Sequence, residues 1–161
     1  MLREEFDIPV IGIMEASLFA ARTLGGRIGI VATSSRSKVG HLASVAGYGF
    51  SPHCAGIRSC ELGVLDFERL PREQVLATMQ DVAKQLVEID GADVLTLGCA
   101  GMTDMKAAVE EAVGADVQVV DGVVAGVQHL SGIVRMGGKT AKKGLYRSSR
   151  AGREARGQDY V

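Results

Sequence analysis

The chain has 161 residues, 47% of them hydrophobic, with mean hydropathy +0.16 and a formal net charge of −1. That is enough apolar material for one core, in one domain or one with two lobes, and no apolar run reaches the roughly 20 residues a membrane helix needs. The small net charge hides an asymmetry: residues 1–136 carry −6 (11 Lys/Arg against 17 Asp/Glu), and residues 137–161 carry +5 (7 against 2). Such a basic tail can bind nucleic acid. Here Tyr146 and Tyr160 stand alone, without an aromatic stacking pattern, so a solvated or self-docking tail is expected instead. The three cysteines, Cys54, Cys60 and Cys99, are an odd set with no secretory leader pattern before them. This predicts reduced thiols and a cytoplasmic setting.

In chain order, Pro9–Ile13 reads as a short buried strand. Glu15-Ala16-Ser17 opens a helical pattern that Gly25-Gly26 stops. Arg27–Ala32 is a second strand, and Thr33-Ser34-Ser35 caps a helix running to about Ala46. A strand is expected near Ala55–Arg58. Pro71 suits the first turn of a long helix over 71–89, whose apolar set Val75, Met79, Val82, Leu86 and Ile89 lies on one face. Ala92–Leu97 is a strand, a helix begins at Asp104 and runs through Val113, and Val117–Val120 is the last strand. Asp121-Gly122 opens a final helix to about Arg135. From Gly137 the chain turns basic and irregular, and its Arg/Gly/Ser-rich end is expected to be mobile. The expected organisation is an α/β domain over 1–136 followed by a tail over 137–161.

Short apolar strands alternating with helices imply a mostly parallel sheet with helices on both faces. In such sheets ligands bind beyond the carboxyl ends of the strands. Glu15-Ala16-Ser17, Thr33-Ser34-Ser35, Gly98-Cys99-Ala100-Gly101 and Asp121-Gly122 are all expected at that edge. Cys99 is the one strong nucleophile or base among them. A loop entering a helix offers free backbone N–H groups that favour a thiolate and can hold a carboxylate or an enolate. Gly98 and Gly101 let the backbone approach a ligand closely. A buried, inert thiol is the alternative on spacing alone. No phosphate loop or dinucleotide fingerprint is present, and Cys54, Cys60 and the scattered His41, His53 and His129 do not make a zinc pattern. None of the three histidines is expected at the active edge.

The segments IPVIGIMEAS, RIGIVATSSRS, ADVLTLGCAGM and VQVVDGVVAGV, in this order and spacing, resemble the Asp/Glu/hydantoin racemase superfamily, closest to its hydantoin and allantoin racemase branch. The resemblance covers roughly residues 8–135. It implies a cofactor-independent racemase in which two cysteines face each other across a small substrate such as a 5-substituted hydantoin or allantoin. One removes the proton beside a carbonyl and the other returns one on the opposite face, because a single base does not reach both faces of a planar carbanion. Cys99 matches the second of these cysteines. Thr33 and Ser34 match substrate-holding positions, and Glu15, Gly98, Ala100, Gly101 and Asp121 match motif positions nearby. The family fold is two similar α/β lobes with the site between them. The family's first cysteine precedes the segment matching IPVIGI, whereas this sequence begins at MLREEFD. The resemblance therefore implies one lobe plus the carboxy-terminal segment, without the first thiol, and racemase activity that is very low or nil. A non-catalytic remnant of the fold is the alternative. Cys54 and Cys60 resemble no catalytic position. The helix over 122–136 (Val123, Val124, Val127, Leu130, Ile133, Val134) should show an apolar stripe, exposed or covered by a partner, and a homo-oligomer is expected.

Overall fold

A computed structural model describes residues 2–158; Met1 and positions 159–161, the end of the basic tail with Tyr160, lie outside the described residues. The chain divides into two compact units, residues 12–126 and residues 1–11 with 127–161.

The first unit is the expected parallel α/β sandwich. Strands β1 (Ile28–Ala32), β2 (Cys54–Ser59), β3 (Val94–Leu97) and β4 (Gln118–Val120) form one sheet in the order β2-β1-β3-β4, all parallel. Successive side chains on a strand point to opposite faces. Ile28, Ile30 and Ala32 of β1 accordingly pack with Met14, Leu18 and Ala21 of α2 (Ile13–Leu24) and with Val45 of α3 (Ser35–Gly47). Val31, Leu95 and Leu97 face the other way, onto α5 (Arg72–Glu88) and α6 (Lys106–Val113), with the short α4 (Asp66–Arg69) ahead of them. Val75, Met79, Val82 and Leu86 are buried as the periodicity predicts, but Ile89 is 69% exposed. It lies just past the end of α5, as its C-cap.

The start of the unit differs from expectation. Residues 9–12 form no strand: the four strands of the sheet all come from later in the chain, and the helical pattern takes over already at Ile13. Gly12 is instead the extended N-cap of α2, its N–H donating to the Glu15 carboxylate at 3.4 Å. The helix expected from Asp104 is also reorganised. Ala100–Met105 coil as a 3₁₀ turn, closed by the Met102 N–H on the Cys99 carbonyl at 3.1 Å, and α6 starts after it.

The second unit joins the first residues to the basic tail. Here α1 (Leu2–Glu5) ends against Lys142, whose ammonium donates to the carbonyls of Arg3, Glu4 and Phe6 at 2.8–3.0 Å. These are carbonyls a helix end leaves without internal partners. Thr140 donates its N–H to Asp7 and its hydroxyl to the Ile8 carbonyl. A short helix, α8 (Arg150–Glu154), forms in the stretch whose composition predicts mobility, because both Arg153 Nη atoms and the Ser149 hydroxyl meet the Glu5 carboxylate. The tail is thus docked at Thr140, Lys142, Ser149 and Arg153, while residues between them such as Lys143, Leu145 and Arg147 are exposed.

Arg153 first, with Ser149 adding to it, holds the Glu5 carboxyl at about 2, down from 4.5. A depressed carboxyl contributes its docking energy in full above about pH 4.5 and loses it as pH falls toward 2. Glu5→Gln is therefore expected to raise tryptic cleavage at Arg150 and Arg153 several-fold at pH 7.5 while sparing residues 12–126. Hydrogen exchange over 150–154 in the unaltered chain should accelerate between pH 4.5 and 2.

Helix α7 (Gly122–Arg135) carries the expected exposed stripe: Val123, Val124, Val127 and Val134 are each 41–59% exposed. No helix among the described residues is long and apolar enough to cross a membrane.

Candidate active site

The strand register brings the sequence-selected clusters side by side. Val31 pairs with Leu97 and Thr96 with Val120, so Thr33-Ser34, Gly98-Cys99 and Asp121-Gly122 leave the sheet together at its carboxyl edge. Helix α2 runs antiparallel to β1 and returns its first turn, with Glu15, to the same edge. The Gly122 backbone packs so tightly on Ser17 and Ile13 there that a Cβ would overlap both.

Several of these polar residues are occupied in building the edge. The Ser34 hydroxyl accepts the Ser37 N–H at 3.3 Å, and the Ser37 hydroxyl accepts from the Ser34 N–H at 2.9 Å and from the Thr33 hydroxyl at 3.0 Å. This is a reciprocal N-cap for α3. Thr33 is buried beneath it. Asp121 is likewise a cap, its Oδ1 accepting from Val123 and Val124 at 2.7 and 3.1 Å, and it too is buried.

Cys99 stands apart from this scaffolding. It occupies the cap position before the 3₁₀ turn, is half-buried, and lines a pocket of about 250 Å³ with Val64, Phe67, Gly101 and Met105. At its rim the Arg72 guanidinium pairs with Asp104 at 2.8 Å, tying the start of α5 to the turn that follows Cys99. Gly101 leaves open the space beside the sulfur: a Cβ there would lie 3.8 Å from Sγ, an ordinary contact. Ala100 is exposed on the same turn.

The other two thiols are placed differently. Cys54 opens β2 opposite Ile28, at the amino edge of the sheet, and burial raises its pKa. Cys60 follows β2 at the carboxyl edge but is only 5% exposed, packed in the core. Burial first, then the neighbouring Glu61 carboxylate, pushes it up to about 12. Burial thus favours the protonated thiol at Cys60.

Sequence reasoning missed His41. Two turns into α3, its imidazole comes to the active edge after all and lies against Gly98. Its Nε2 is buried without a partner, as are Ser17 Oγ and Thr96 Oγ1. Burial lowers the pKa of His41, which favours the neutral ring. A signal existed: Ser34, Ser37, His41 and Val45 follow the 3–4 residue spacing of one helix face, and Val45 is an apolar residue suited to the core.

The sequence profile of the Asp/Glu/Hydantoin racemase family matches residues 1–130. The chain is 40% identical over 145 residues to a hydantoin racemase of Pseudomonas sp. (strain NS671), covering 90% of this chain and 57% of that one. Its fold superposes with a TM-score of 0.87 on an allantoin racemase from Pseudomonas fluorescens, at 30% identity, over 92% of this chain and 62% of that one. An allantoin racemase from Klebsiella pneumoniae gives 0.84 at 30% identity, over 91% and 58%. The chain therefore spans about three-fifths of the length of these relatives, and by sequence and fold alike it belongs to the Asp/Glu/hydantoin racemase family.

Proposed function

We propose that this chain contributes Cys99, one of two thiol bases, to cofactor-independent proton transfer on a small hydantoin- or allantoin-type substrate. The observation that carries the reading is the position of Cys99: a half-buried thiol just past the carboxyl end of β3, opening into a pocket lined from the segments that follow β2 and β3 and from the start of α5, with Thr33, Ser34, Glu15 and Asp121 outside that lining. The Cys99 thiolate takes the proton from the carbon beside the carbonyl. The C–H electron pair moves into the carbonyl and leaves an enolate. Backbone N–H groups at Ala100 and Gly101, at the start of the turn, are the donors that would hold that charge in this reading. The thiol exchanges its hydrogen with solvent and then returns one to the same face of the carbon.

Inversion needs a second acid on the opposite face. Cys54 is at the wrong edge and Cys60 is buried and protonated, so neither supplies it. The chemistry of these residues by themselves is therefore exchange with retention. In D₂O, one enantiomer of a 5-benzylhydantoin should lose its C5–H faster with the protein than in buffer, without matching loss of optical rotation. Cys99→Ser should remove the enzymatic increment, a fall of about 10²-fold or more on the scale of positioned general bases. No exchange above buffer, or an unchanged Cys99→Ser variant, would favour the non-catalytic remnant. Rapid racemisation would mean that a second base is present.

A further inference from the structure

We infer that His41 is a positioning residue for Cys99, acting through Gly98. The inference rests on Cys99 being the working thiol, and it starts from how Gly98 is held. Its N–H donates to the Val31 carbonyl at 2.9 Å, which anchors one side of the residue to β1. On its open side, where any other residue would carry a Cβ, there is no spare room. That position is 2.7 Å from Val31 O, 2.7 Å from His41 Nε2 and 3.3 Å from His41 Cε1. The imidazole edge thus occupies the volume a side chain at 98 would need.

Residue 98 is the link between the last residue of β3 and the thiol. A glycine there is free to adopt many backbone conformations unless something external confines it. Val31 fixes one end through a hydrogen bond, and the imidazole confines the other by contact. The helix bearing His41 is itself locked to the same edge by the Thr33–Ser34–Ser37 cap. A polar ring is costly to leave unpaired in a buried place, and an apolar side chain of similar size would fill the space without that cost.

The full chain carrying His41→Ala tests this through alkylation of its three cysteines by iodoacetamide, resolved by peptide mass spectrometry. Without the ring, Gly98 samples conformations that do not present Cys99, and the rate falls with the presented fraction. A drop of more than threefold at Cys99 is expected, with Cys54 and Cys60 changed less than twofold. His41→Gln, which refills the space with a polar group, should restore the Cys99 rate to within twofold. Where the alanine variant does not fold, His41→Asn, shorter than the ring, should give the same drop. A smaller drop or a gain at Cys99, failure of glutamine to restore it, or all three thiols shifting together would overturn the inference. Alkylation reads presentation of the thiol and not turnover. A chain that shows no C5–H exchange but passes this test loses its proposed function and keeps the role of His41.

Discussion

Gly98→Ala is expected to destabilise the protein by about 1–3 kcal/mol, the usual cost of forcing an extra methyl into a packed site. The added Cβ meets a β1 carbonyl oxygen that cannot move without breaking the hydrogen bond it accepts from residue 98 itself. It also meets the His41 ring, whose buried edge has little room to withdraw. Lower unfolded-state entropy from replacing glycine returns about 0.4–1 kcal/mol, which is not enough to reverse the sign. Gly101→Ala, three residues on in the same motif, is the control. Its Cβ would make one ordinary contact, with the Cys99 sulfur, and its stability should stay within about 0.5 kcal/mol of the unaltered chain. Urea unfolding of the two variants decides this: the midpoint should fall for the first and hold for the second, with m unchanged in both. If Gly101→Ala proves as damaging, the two glycines are not doing different jobs, and the account of Gly98 fails.

That distinction shows where the sequence was legible and where it was not. Alternation in Ile28–Ala32 and the 3–4 spacing of Val75, Met79, Val82 and Leu86 are local patterns, and each identified an element and its buried face. Pro9–Ile13 has equally apolar composition, but a strand needs a neighbour, and which strands neighbour which is decided by the whole sheet. Cys99 and the residues around it could be read because strand ends in a parallel sheet converge by topology. The capping expected of Thr33-Ser34-Ser35 is carried by Ser34, with the Thr33 hydroxyl donating to Ser37 beneath it, and Asp121 caps the helix that it was expected to open. The Gly98–His41 contact joins positions 57 residues apart, and the Glu5–Arg153 pair joins residues 148 apart. No periodicity reports contacts of that range. The same limit applies to the basic tail, whose composition gave its charge correctly and left its docking partner unseen.

Leu86→Ala is expected to have the largest effect on the fold, about 2–5 kcal/mol by the usual cost of truncating a buried leucine. Leu86 is fully buried in the core that faces α5, and its Cβ sits 3.2 Å from where a Cβ on Gly29 would stand. Helix α5 approaches β1 closely there because residue 29 has no side chain, and the contact leaves little freedom for neighbours to collapse into a void. The lost methyl groups therefore leave a cavity, and the cavity adds to the lost transfer energy. Val127→Ser provides the contrast. Val127 is just as apolar by composition and lies on a helix with a pronounced apolar stripe, but it is 58% exposed in the chain. Most of its surface already meets water, so removing it should change stability by no more than about 0.5 kcal/mol. Leu86→Ala can be followed by urea unfolding of residues that report on the 12–126 unit, and Val127→Ser by residues that report on the unit of residues 1–11 with 127–161. A loss at Val127 comparable with that at Leu86 would mean that something covers the α7 stripe in solution. Equal and small effects would mean that the α5–β1 interface is looser than its packing indicates.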